Sequence, residues 1–177
     1  MIETPRLKLV LWGDVHRTPF VRMHADPTVM ADQGGAIEEV ESLAKLDRYR
    51  VAWVHNGVSR WAIEDQRGRF LGYAGVMLRT DENHPLGRHF EIGWRLITDA
   101  WGQGYATEAA RAALQDAVIR IGPSEILSYT SPDNVRSQAV MARLRLRRTP
   151  ERDFISEYAP MGAWRGLVWI ADPGFGK

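Results

Sequence analysis

Residues 6–11, Arg-Leu-Lys-Leu-Val-Leu, alternate polar and apolar before ending in an apolar run, the pattern of a first strand entering a core. Residues 14–25 follow as a helix, broken by Asp26-Pro27-Thr28. Ile37, Val40, Leu43, Tyr49, Val51 and Val54 then mark a second helix, with Glu38, Glu39 and Glu41 near its start where acids complement the helix dipole. Strands over 59–64 and 69–78 flank the turn Asp65-Gln66-Arg67-Gly68 and predict a hairpin. A third strand, 89–96, contains Gly93, which predicts a bulge or a close approach of another group to the backbone. Residues 106–121 form a strong helical pattern whose Ala109, Ala112, Ala113, Ala117 and Ile121 make a small packable face, stopped by Gly122-Pro123. A strand over 125–130, a helix capped by Asp133 or Asn134 and running to about Leu144, and apolar segments near 149–155 and 164–170 complete the order β-α-α-β-β-β-α-β-α-β-β. That order predicts a mixed α/β sheet.

Composition narrows the class. A chain of 177 residues is expected to be one domain, 1–177, with enough core to fold without staples. With 45% hydrophobic and 25% charged residues and a net charge of +1, it belongs with soluble globular proteins and does not advertise a nucleic-acid partner. The absence of cysteine excludes disulfides and thiolate chemistry and agrees with a cytoplasmic location. Neither a basic-then-apolar leader nor an 18-residue apolar window is present, so export and a membrane partner are not expected. His16, His24, His55, His84 and His89 show no metal-ligand spacing, and no metal site is expected.

The segment with the most chemical content is Trp101-Gly102-Gln103-Gly104-Tyr105-Ala106-Thr107-Glu108, which joins the strand ending near Ile97 to the Ala-rich helix. Two glycines in three residues let the backbone turn tightly and approach a ligand, and the helix start directs free N–H groups and a positive dipole end at the same spot. A phosphate or pyrophosphate suits such a turn; a strand-to-helix connection that merely needs glycine is the alternative.

Together with the element order and Asn134-x-x-Ser137, this segment resembles the GNAT superfamily of acyl-CoA N-acyltransferases, over nearly the whole chain. Thr4-Pro5-Arg6-Leu7 with Leu9, then Asp26-Pro27 and Glu91-Ile92-Gly93, look most like its RimJ/RimL branch, known for N-terminal acetylation of ribosomal proteins. The resemblance implies a single GNAT-like α/β (α+β) domain with a mostly antiparallel six- to seven-stranded sheet flanked by about four helices. It implies acetyl-CoA as cosubstrate without a metal, and direct acetyl transfer to an amine acceptor, either a protein N-terminus or a small molecule. Gly102, Gln103, Gly104, Tyr105, Ala106 and Thr107 would hold the pyrophosphate, the main chain of Trp94, Leu96 and Ile97 would pair with the pantetheine arm, and Asn134 would bond the pantetheine or thioester region.

An alkyl amine with a pKa of about 10 is only about one part in a thousand neutral at pH 7, so transfer needs a proton acceptor. By resemblance Glu91 is the catalytic base, and His89, two residues earlier on the same strand face, is the second candidate. An N–H freed by a bulge near Gly93-Trp94 would serve the thioester oxygen. Ser137 falls in the first turn of the helix that Asn134 begins, where it can bind the coenzyme or reprotonate the thiolate. Many superfamily members carry a tyrosine acid seven residues after this asparagine; here the position holds Met141. Leu144-Arg145-Leu146 replaces the usual Leu-Gly-Phe, so either the helix ends differently or Arg145 is strained. Arg143, Arg145, Arg147, Arg148 and Arg152 read as a solvated basic face outside the site.

The acceptor is expected between the first two helices and the last two strands, where Trp12, Phe20, Met23, Met30 and Trp164 are available as core or pocket. A homodimer is the remaining partner expectation. A dinucleotide-binding oxidoreductase competes on Gly102-x-Gly104, but Thr107 occupies the third glycine position and Glu125 begins the next strand where a ribose-binding acid should end it. A catalytically silent acyl-CoA-binding or protein-interaction module on the same fold is the other alternative.

Overall fold

The computed structural model describes residues 1–122, 124–158 and 162–171. In chain order the elements are β1 (Ile2–Glu3), β2 (Leu7–Val10), α1 (Arg17–His24), α2 (Pro27–Met30), α3 (Glu39–Asn56), β3 (Arg60–Asp65), β4 (Phe70–Arg79), β5 (His89–Leu96), α4 (Tyr105–Ile121), β6 (Ile126–Thr130), α5 (Val135–Arg143), β7 (Arg147–Arg148), β8 (Phe154–Tyr158) and β9 (Gly162–Ala171). The sheet runs β1-β2-β3-β4-β5-β6-β9-β7, with β8 paired to β9. Every recorded pairing is antiparallel except β5 with β6. The mixed sheet and the main helices therefore match expectation, and the two-residue strands β1 and β7 extend it at positions too short to carry a periodicity.

Local chemistry explains where elements start. Asp26 accepts hydrogen bonds from the N–H groups of Thr28 and Val29 and caps α2, with Pro27 at the first helical position. The expected helix over 14–25 opens as a 3-10 turn, Asp14–His16, before α1. The segment 149–155 is not one strand: Pro150 lacks the N–H a strand needs, and Pro150–Arg152 forms a 3-10 turn ahead of β8. Gly122 ends α4 with φ 75°, whereas Pro123 lies outside the described residues.

The sheet carries a core on each face. On one, Ala109, Ala113, Leu114 and Ala117 of α4 lie against Ile63, Ile92 and their neighbours, the small-residue face that was expected. On the other, α1 and α3 cover Trp12, Phe20, Met23, Leu46, Tyr49 and Tyr73. Trp12, Phe20, Met23 and Met30 are all buried, so they form core rather than a pocket wall.

The bulge expected at Gly93 is absent. β4 and β5 stay in unbroken register from Gly72↔Leu96 to Arg79↔His89, and the irregularity falls between Ile63 and Glu64. Gly93 instead serves close approach, since a Cβ there would come within 2.8 Å of Arg60 Nη2.

α5 ends with the N–H of Leu146 donating to the Met141 carbonyl, which places Arg145 at φ 60°, the one non-glycine residue with positive φ among those described. The strained alternative is thus the one adopted. Arg145→Gly removes the left-handed penalty and should raise stability by up to about 1 kcal/mol, seen as a higher urea midpoint with an unchanged m-value.

Candidate active site

β5 and β6 pair only at Phe90↔Ile126 and Glu91↔Leu127, then diverge. The Ser128 hydroxyl donates to the Ile92 carbonyl at 3.1 Å, which shows that Ile92 directs its backbone toward β6. Strand alternation gives Trp94 and Leu96 the same direction, so beyond the fork the Trp94 N–H and C=O and the Leu96 N–H have no ladder partner. The Leu96 carbonyl accepts from the Trp101 indole N–H at 2.9 Å. Ile97 departs from expectation: its N–H donates to the Leu71 carbonyl and its C=O accepts from Ala100, so its main chain is already spent within the protein.

At the mouth of the fork the glycine turn takes up positive φ at Gly102 (73°) and Gly104 (79°). Glu108 makes the first bond of α4, to the Gly104 carbonyl, leaving the N–H groups of the preceding helical turn free of helix partners. Thr107 adds a buried hydroxyl with no hydrogen-bond partner among the described residues. The N-terminal segment clamps this turn. Arg6 donates from Nε to Glu108 at 2.7 Å and from a terminal nitrogen to the Gln103 carbonyl at 2.8 Å, and lies 4.7 Å over the Tyr105 ring. The Thr4 hydroxyl donates to the same glutamate at 2.6 Å. Burial alone would raise the Glu108 pKa, but the hydrogen bonds from Thr4 and Arg6 lower it. Gln103 folds its side-chain amide back, donating to the Asp99 carbonyl at 2.8 Å.

Asn134 caps α5 as expected, accepting from the Ser137 N–H at 3.1 Å. Its amide N–H is also engaged, donating to Asp32 at 3.1 Å. Asp32 is held by Arg95 at 2.8 and 3.2 Å, and Arg95 donates to the Val29 carbonyl as well. One N–H of the Asn134 amide is therefore spent on Asp32, and its second N–H is the donor left for a ligand. Ser137 is half-buried in the first turn of α5, and Met141 is buried in the core, so no acid stands at the tyrosine position.

Glu91 is 7% exposed and sits between two guanidinium groups. Arg60 Nη2 lies 3.0 Å from one carboxylate oxygen, and Arg79 Nε contacts the other. Burial alone would raise the Glu91 pKa; Arg79 and Arg60 outweigh it and lower it to about 2. Both oxygens are occupied, and a carboxylate held that acidic accepts a proton from an ammonium poorly at neutral pH. Glu91, expected from the sequence as the base, is thus ion-paired at both carboxylate oxygens. His89 offers the contrasting arrangement: Nδ1 faces the Gly87 carbonyl at 2.7 Å, leaving Nε2 buried without a partner. Burial above all lowers its pKa and keeps the ring neutral. Tyr129 of β6 completes the group, with burial and the Glu91 charge raising its phenol pKa.

The acetyltransferase (GNAT) domain family matches residues 6–147. The FsC-acetyl coenzyme A-N(2)-transacetylase of Aspergillus fumigatus is 31% identical over 180 residues, covering 94% of this chain and 73% of that protein. The chain belongs to the GNAT acetyltransferase family. The crystal structure of an acetyltransferase from Agrobacterium tumefaciens has the same fold (TM-score 0.79, 23% identity, 96% of this chain and 92% of that one). So does RimL, a ribosomal L7/L12 alpha-N-protein acetyltransferase, in complex with coenzyme A (TM-score 0.71, 14% identity, 96% and 95%). The dinucleotide alternative is set aside by the family match.

In this acyl-CoA-dependent acetyltransferase, the Thr107 hydroxyl, unpartnered among the described residues, the free helix end and the open strand edge at Trp94 and Leu96 fit a coenzyme whose pyrophosphate joins a nucleotide to an amide-bearing arm. The basic run lies elsewhere: Arg148 pairs with Asp153 at 2.6 Å and Arg152 with Glu125 at 2.6 Å. Sequence reasoning missed Arg60, Arg79, Asp32 and Arg95, whose partners are distant in the chain. Among the described residues, no helix is long and apolar enough to cross a membrane.

Because the Glu91 pKa is lowered from 4.5 to about 2, its ion pairs contribute stability above pH 4.5 that disappears as the pH falls to about 2. Glu91→Gln should cost about 3 kcal/mol or more at pH 7 by leaving Arg60 unpaired, and should flatten the loss between pH 4.5 and 2. Urea midpoints at pH 7 and pH 3 for both proteins measure this.

Proposed function

We propose that the protein transfers an acetyl group from acetyl-CoA directly to a primary amine within the fork between β5 and β6. The observation that carries this reading is the fork itself, opening beside the free N-terminus of α4. Acetyl-CoA supplies the activated acyl group; a C–N bond forms, the C–S bond breaks, one amine proton ends on the thiol and one is released.

The chain's own residues divide the work. The backbone N–H groups of residues 102–107 and the Thr107 hydroxyl hold the pyrophosphate. Trp94 and Leu96 pair with the pantetheine arm through the open edge of β5, and the Trp94 N–H is placed to serve the thioester oxygen. His89, neutral and with Nε2 unpartnered among the described residues, takes the amine proton through a chain of waters, since it stands four residues, about 13 Å, before Gly93 on β5. Glu91 fixes the two arginines around it. Ser137 and Asn134 stand beside the leaving thiolate, and the Ser137 hydroxyl returns its proton. The buried Met141 favours one second reading, a silent acyl-CoA-binding module, which would bind acetyl-CoA without releasing thiol.

Calorimetry with acetyl-CoA, followed by thiol release with an amine panel that includes peptides with free N-termini, separates the two. Gly104→Glu puts a carboxylate at the pyrophosphate and a side chain at φ 79°, and should weaken acetyl-CoA binding about a hundredfold. His89→Gln should remove the acidic limb of the pH–rate profile, which lies below the ordinary imidazole pKa because the His89 value is lowered. Retention of that limb in His89→Gln would exclude His89 as the base.

A further inference from the structure

The sheet face on which the acceptor is proposed to lie gathers buried and half-buried cations around few carboxylates. Along β5, Glu91, Gly93 and Arg95 point to this face, and register places Met77, Gly75 and Tyr73 of β4 directly opposite. Arg60 and Arg79 share one carboxylate, Glu91. Arg95 has Asp32. Lys45 of α3 extends to within 5.9 Å of the Tyr73 ring and, among the described residues, makes no ion pair. Of these four cations Lys45 is the one without a carboxylate partner among the described residues, and it stands at the Tyr73–Arg95 end.

Two groups report the resulting field. Burial alone would push the Tyr73 phenol up, yet Lys45 and Arg95, with a hydrogen bond from Tyr49 and the Arg60 charge, bring it down to about 8. The Lys45 ammonium is lowered, by burial first and by Arg95 and Arg79 in addition, with only the Tyr73 oxygen opposing them. An unpaired, partly desolvated ammonium beside a guanidinium is an arrangement that an oxyanion relieves. It is also one that repels a second positive charge.

We infer that the acceptor amine carries a carboxylate or phosphate, seated against Lys45 and Arg95 at the Tyr73 end of this face. The inference rests on the acetyl transfer proposed above and deepens it by naming the acceptor class. Spacing sets the acceptor's length. Arg95 is two residues from Gly93 at the fork, about 7 Å along an extended strand, so three or four atoms between nitrogen and oxyanion suffice. A polyamine of the same length would place its second ammonium against Lys45 and Arg95.

The experiment compares four acceptors of matched length with acetyl-CoA by thiol release: 4-aminobutyrate, 3-aminopropyl phosphate, butylamine and 1,4-diaminobutane. The expected result is kcat/KM about tenfold or more higher for at least one of the two anionic amines than for butylamine, with the diamine slowest. The two anionic amines together tell carboxylate from phosphate. Lys45→Gln should raise KM for the preferred anionic acceptor about tenfold and reduce its advantage over butylamine, and Lys45→Arg should restore it. Transfer to butylamine or the diamine as fast as to both anionic amines, no transfer to either anionic amine, or an unchanged anionic-to-neutral ratio in Lys45→Gln would overturn the inference. Failure of the protein to bind acetyl-CoA in calorimetry would instead overturn acetyl transfer itself.

Discussion

The burial of the Glu91 carboxylate between Arg60 and Arg79 is the constraint around which the rest is arranged. Ionised groups removed from water cost several kcal/mol each, and they persist only where charge and hydrogen bonds are both satisfied. Arg60 meets that condition by donating to the Gly75 and Glu91 carbonyls as well as to the carboxylate. To do so it must cross from β3 under β4 to β5, and the crossing is possible because Gly93 has no side chain: a Cβ there would lie 3.1 Å from Glu91 Oε1 and closer still to Arg60. The same Glu91 forms the last recorded pair between β5 and β6, opposite Leu127. The ion cluster therefore holds three strands together at the point where the fourth departs, and the fork opens from a rigid base.

On either side of that base the two halves of the site are braced differently. The coenzyme half relies on main chain, with its orientation held from outside by Arg6 and Thr4 on Glu108 and by Arg136 lying 4.2 Å over the Trp101 ring. The acceptor half relies on side-chain charge. Asp32 connects them, since it holds Arg95 on one side and the Asn134 amide on the other. Asp32 thereby joins the cap of α5 to Arg95 of β5 in one hydrogen-bonded chain.

Much of this was legible in the sequence, and the division follows the range of the interactions. Periodicity located β5 at its observed bounds, 89–96, and α4 to within a residue, because each depends on neighbours a few positions away. The glycine turn, the Asn134 cap and the strain at Arg145 are likewise local matters of φ, N–H supply and spacing. Glu91 is legible as a candidate functional residue, but its ion pairs are not, because Arg60 and Arg79 stand 31 and 12 residues away. Asp32 and Asn134 are 102 residues apart, as are Arg6 and Glu108. No pattern along the chain marks such pairs before the sheet order brings them together. Ile97 failed for a related reason: whether its N–H is free depends on where Leu71 lies, which only the β4–β5 register determines.

The charge on the acceptor face also bears on how a weak base suffices. An ammonium brought into a positive, partly desolvated environment loses its proton more readily, as the lowered Lys45 pKa shows for a resident amine. In the proposed transfer, the field that would draw an oxyanion to Lys45 and Arg95 also lowers the cost of presenting the amine neutral at the fork. A strong carboxylate base is then unnecessary, and Glu91 is free to remain ionised between its arginines. In the proposed transfer a neutral acceptor of modest basicity takes that part, the buried Nε2 of His89, reached through water. Burial and charge, set by the packing of the sheet, do the work that a single basic side chain would otherwise have to supply.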